Sequence, residues 1–68
     1  MNKYYFTFGF GTENGNKFKV FRTDTREEAR RCMFIKYGRN WSMCYDESEW
    51  VDANGITQEE KYKLTEIK

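Results

Sequence analysis

The sequence predicts a single small α+β domain, in which an aromatic-rich antiparallel sheet packs against one main helix. Three observations carry this prediction. An N-terminal segment alternates aromatic residues with a two-residue period, a second such segment follows a Gly- and Asn-rich turn, and a capped amphipathic stretch comes directly after it.

From Lys3 to Phe10 a strand would place Tyr4, Phe6, Phe8 and Phe10 on one face and Tyr5, Thr7 and Gly9 on the other. The four aromatics of that stripe are expected in the core. Phe18 and Val20 continue the rhythm through Lys17 to Thr23, with Phe21 pointing to the opposite side. Between the two runs, Gly11-Thr12-Glu13-Asn14-Gly15-Asn16 supplies residues that tolerate positive φ, so the two strands should pair as a hairpin. Asp24 with Glu27, or Thr25 with Glu28, would cap the helix that follows. Ala29, Cys32, Met33 and Tyr37 fall on one helical face and Gly38 is placed to end it, whereas Phe34 and Ile35 lie off the centre of that face.

Trp41, Met43 and Tyr45 then alternate with Ser42, Cys44 and Asp46, which reads as a third strand. Asp46 with Glu49 would cap a short second helix carrying Trp50 and Val51, ended by Asn54-Gly55; a bent loop is the competing reading. Lys61 to Ile67 reads as a final strand, in which Tyr62 and Leu64 share a face and Ile67 is out of phase. The expected order is ββαβ(α)β over residues 1–68.

Sixty-eight residues is close to the size at which one core only narrowly offsets the entropy of ordering the chain. Apolar residues make up 38% of the chain, but six Phe, five Tyr and two Trp concentrate buried area into few positions. Homodimerisation would relieve the remaining shortage. Cys32 and Cys44 are the only cysteines, and the N-terminal residues lack the pattern of a secretory signal, so free thiols in a cytoplasmic protein are expected. No apolar run approaches the roughly 20 residues of a membrane span.

Catalytic chemistry finds little support. Without histidine the common imidazole bases and mixed Cys/His metal sites are absent, two distant cysteines do not complete a zinc site, and no cofactor is expected. Carboxylates alone can perform acid/base work, but no pair here has a spacing that singles out a reaction.

The formal charge of +1 hides a division. Residues 1–44 hold nine Lys or Arg against four Asp or Glu, and residues 45–68 hold three against seven. Asp46, Glu47, Glu49 and Asp52 form an acidic cluster that reads as a capped, solvated turn of helix, as a surface for a basic partner, or as a cation site, although the spacing lacks a complete calcium-binding loop. Arg22, Arg26, Arg30 and Arg31 form the basic counterpart, with Arg26 and Arg30 one helical turn apart. Tyr5 and Phe21 are expected on an uncovered reverse face of the sheet, where they would serve as stacking groups for single-stranded DNA or RNA.

The chain carries more aromatic surface than one protected face needs. Phe34, Trp41, Tyr45 and Trp50 lie beside charged residues, a combination enriched at interface hot spots. The candidate partner-binding set is therefore Arg26, Arg30, Phe34, Trp41, Tyr45, Asp46, Glu47, Glu49, Trp50 and Asp52. In general organisation the chain resembles small proteins encoded by phages and other mobile elements, a resemblance that implies stoichiometric inhibition of a host defence or nucleic-acid-handling complex. The leading expectation is a nonenzymatic protein-binding module, with single-stranded nucleic-acid binding as the alternative.

Overall fold

The computed structural model describes residues 1–9 and 11–68. Asn2–Thr7 forms β1 and Lys17–Thr23 forms β2, paired antiparallel in a register that sets Tyr4 against Phe21 and Thr7 against Phe18. The hairpin is as predicted, except that β1 ends at Thr7; Phe10 lies outside the described residues. Phe8 is buried although it stands beyond the strand. The connection closes through turns, with the Thr12 amide donating to Gly9 and the Lys17 amide to Asn14, and Gly11 takes the positive φ expected of the loop.

Helix α1 spans Arg26–Tyr37. Of the two possible caps, Thr25 takes the role: its hydroxyl accepts the Glu28 amide at 3.2 Å. Gly38, at φ 63°, stops the helix and its amide donates to the Phe34 carbonyl at 2.7 Å. Strand β3, Met43–Tyr45, pairs antiparallel with the outer side of β1. Helix α2, Glu47–Trp50, begins with the reciprocal Asp46/Glu49 capping box.

The C-terminal third departs from expectation. α2 ends at Trp50 rather than at Asn54-Gly55, because Val51 is extended and bridges Thr57 across a turn closed by Asp52 and Gly55. Gln58–Tyr62 is a short helix, α3, which takes Lys61 and Tyr62 from the start of the expected strand. The Thr57 hydroxyl caps it by accepting the Glu60 amide, and Lys63, left-handed at φ 53°, ends it. Only Thr65–Ile67 remains as β4, and it runs parallel to β2. The sheet order β3-β1-β2-β4 is therefore mixed rather than wholly antiparallel.

Both faces of this sheet are covered. On one, Tyr4, Phe6 and Phe8 pack with Ala29 and Met33 of α1, and Phe21, Tyr37, Trp41, Cys44 and Ile67 close around them. On the other, Phe18 packs with Trp50 and Leu64, bordered by Tyr5, Val20 and Tyr45. The expected open face bearing Tyr5 and Phe21 does not exist. Phe21 sits edge-on to Phe6 on the α1 side, while Tyr5 stacks on Trp50 at 4.5 Å between ring centres on the opposite side. One residue of offset in register separates them, since opposed residues share a face and Tyr5 stands opposite Val20, not Phe21.

Candidate functional site

The capping box of α2 is also where the two charge-rich halves of the chain meet. Asp46 accepts the Glu49 amide and the Ser48 hydroxyl, each at 2.8 Å, and the Glu49 carboxylate accepts the Asp46 amide at 3.0 Å. Arg26 reaches from the first turn of α1 to both carboxylates, standing 3.3 Å from Asp46 and donating a short hydrogen bond to Glu49. Among the described residues, every ion pair is one of these. The Glu49 bond raises the Arg26 pKa, and the backbone bond from Glu49 followed by the Ser48 hydroxyl holds the Asp46 carboxyl below the ordinary carboxylate range. All three side chains are substantially exposed, so the cluster orients α2 against α1 more than it stabilises the fold.

The other acidic candidates are occupied locally. Asp52 accepts the Asn54 and Ile56 amides at 2.8 and 3.0 Å, closing its own turn, and the Ile56 bond, then the Asn54 bond, lowers its pKa. Glu47 accepts the Lys3 amide at 3.4 Å.

Trp50 requires a correction. It is 3% exposed and lies inside the second cluster, stacked on Tyr5 and tilted against Phe18 with ring centres 5.1 Å apart. A one-turn helix has a single inward position to anchor it, and Trp50 fills that position. Tyr45 is half-buried and meets the Trp50 ring edge-on. Burial pushes the Tyr5 phenol pKa up, with Glu47 adding to the effect and Arg22 opposing it.

Arg30, Phe34 and Trp41 stay near the surface. The Arg30 guanidinium stands 5.9 Å from the centre of the Trp41 ring, a cation–π distance. That ring is fixed by an edge-on contact with Phe6 at 5.2 Å and by an indole N–H bond to the Gly38 carbonyl at 3.1 Å. Trp41 thus lies on the α1 side, not on the face of Tyr45 as strand alternation suggested, because the β3 ladder begins only at Met43. One helical turn beyond Arg30, Phe34 is 56% exposed, and the adjoining Ile35 is 78% exposed. Cys44 is half-buried behind this patch; desolvation raises its pKa against the opposing pull of Arg26 and Arg30, which keeps it a thiol at neutral pH.

The opposite layer holds a feature that no sequence-level candidate except Tyr45 touches. A cleft of about 220 Å³ opens between the β1–β3 edge and α3, lined by Thr7, Ser42, Met43, Tyr45, Tyr62 and Leu64 among others. The missed signal was Thr57-Gln58-Glu59-Glu60, a capping-box sequence that places Tyr62 on a helix beside the sheet. Among the described residues, no three Cys, Asp or Glu side chains converge as a metal site, and no helix is long and apolar enough to cross a membrane. The chain matches no protein-family model, no curated protein and no solved structure.

Proposed function

We propose that the chain is a nonenzymatic protein-binding module that presents the outer face of α1, with Arg30, Phe34, Ile35 and Trp41, to an acidic and apolar partner surface. The observation that carries this reading is the exposure of Phe34 and Ile35 on the same helix that buries Ala29 and Met33. Burying two such side chains against a partner supplies the desolvation term, while Arg30 and Arg31, which take part in no ion pair among the described residues, are positioned for carboxylates. The action is stoichiometric. Inhibition of a host defence or nucleic-acid-handling complex is the form of it that the resemblance to mobile-element proteins implies.

The test is capture of a partner from cognate lysate, followed by titration of the purified pair. F34S and R30A should each weaken binding at least about tenfold without unfolding the domain. Absence of any saturable protein partner, or binding indifferent to both substitutions, overturns the reading. A parallel titration with a fluorescent oligo-dT tests the alternative: affinity that falls steeply with salt and with R30A would favour single-stranded nucleic acid instead.

A further inference from the structure

The outer face of α1 carries a charge pattern beside its apolar pair. Glu27, Arg31, Phe34 and Ile35 are all exposed and stand at i, i+4, i+7 and i+8, so they form one outward stripe, opposite the buried Ala29 and Met33. The charge changes sign along the helix. Glu27 and Glu28 occupy the first turn, whereas Lys36 lies in the last and the exposed Arg39 stands just past the Gly38 stop. Among the described residues, none of these four charged side chains joins an ion pair.

A face that is acidic at one end, apolar in the middle and basic at the other end is complementary to itself turned round. When two copies of α1 cross antiparallel, the acidic turn of each meets the basic end of the other; a parallel crossing would set like charges together. With the two-fold axis level with Met33, Glu27 comes level with Arg39 of the second copy and Arg31 with Ile35, because the members of each pair stand equally far from Met33 on either side. Phe34, one residue from that level, meets its own copy across the axis, and the methylene stem of Arg31 covers Ile35 while its guanidinium stays in water. The formal charge of the whole chain, +1, puts little long-range repulsion in the way.

We propose that, when no other protein occupies it, the α1 face is covered by α1 of a second copy, in a weak antiparallel homodimer that masks Phe34 and Ile35. The mask presupposes the partner-binding α1 face proposed above and regulates it, since a partner must displace the second copy. A 12-residue helix is about 18 Å long, and one such face falls short of the roughly 800 Å² per partner of stable interfaces, so the dimer exchanges readily.

Purified full-length protein tests this without any partner. Sedimentation velocity from about 10 μM to about 1 mM should show a monomer–dimer equilibrium with a dissociation constant inside that range, and amide shifts that grow with concentration should map to α1 and Arg39. F34S should weaken the dimer at least about tenfold, and E27K or R39E at least about fivefold, with dispersed amide spectra showing that each variant is folded. An equimolar mixture of E27K and R39E should recover the wild-type affinity, because each copy then meets the opposite charge at both ends. A chain that is monomeric at about 1 mM overturns the mask and leaves the partner reading intact. A dimer indifferent to F34S, single reversals that the mixture does not rescue, or concentration-dependent shifts confined to β3 or α3 overturn it too. Failure to capture a partner while the dimer forms as described counts against the proposed function alone.

Discussion

On one face of the sheet, a 12-residue helix lays Ala29 and Met33 onto Tyr4, Phe6 and Phe8, and a ring of half-buried aromatics seals the margin. On the other, one indole and one leucine, Trp50 and Leu64, cover Phe18 from helices of four and five residues and the loop beyond them. The difference is one of closure. A long helix supplies an inward residue at every turn, whereas α2 supplies a single anchor and α3 buries no residue at all, and the apolar cleft opens beside α3. The firmer layer also carries the exposed Phe34 and Ile35, so apolar surface is left convex on α1 and concave beside α3.

The largest expected effect comes from removing the central aromatic of each cluster. F6A should cost about 3–5 kcal/mol, because Phe6 is fully enclosed and its neighbours cannot collapse into the space; W50A should fall toward the lower end of that range, since Trp50 sits on a four-residue helix among half-buried neighbours that can close over the space. Chemical denaturation gives the two values. Hydrogen exchange adds the sharper contrast, with W50A releasing the segment 47–64 while α1 stays protected. A larger loss for W50A than for F6A would mean that the second cluster, not the first, holds the domain together.

Helix caps offer the next comparison. T25A and T57A each remove a side-chain acceptor from an N-terminal amide, at a typical cost of about 1 kcal/mol. For α1, which buries Ala29 and Met33, the loss should appear as global stability. For α3, which buries nothing, it should appear as faster exchange of the Glu60 and Leu64 amides with little change in the melting temperature.

Between the layers, R26A should change stability by about 1 kcal/mol or less, because the partners it joins are exposed, and high salt should shrink the difference further. The smallest effect is one of pH. Asp46 and Asp52 have folded pKa values below their unfolded ones, so their stabilising contribution is complete above about pH 4 and is lost as pH falls through the depressed folded values. Thermal melts from about pH 6 to about pH 2 should show this acid limb, and D46N with D52N should flatten it.

Local chemistry was legible at most of the patterns that concern neighbours in sequence. The Gly/Asn turn, the α1 limits at Asp24 or Thr25 and at Gly38, the Asp46/Glu49 capping box and the Tyr4-Phe6-Phe8 stripe each depend on contacts or spacings within a few residues. The end of the chain was misread because Tyr62 and Leu64 mimic strand alternation, while the Thr57–Glu60 box that competes with it carries no apolar residue to draw attention. Of the candidate site, Arg30, Phe34 and Trp41 stay at the surface, Trp50 moves to the core, and the acidic residues turn to caps, turns and Arg26.

The sequence by itself therefore determined an α+β domain with an aromatic hairpin and one well-capped main helix, and left the acidic segment after the third strand open between a short helix and a bent loop. Only tertiary structure decided that the sheet has two covered faces, that Tyr5 and Phe21 lie on opposite sides of it, that Arg26 joins the two charge-rich halves, and that a neutral cleft opens beside β3. The reason is physical: alternation places a side chain on one of two faces, but which face is buried, and by what, depends on strand register and on helices arriving from distant parts of the chain.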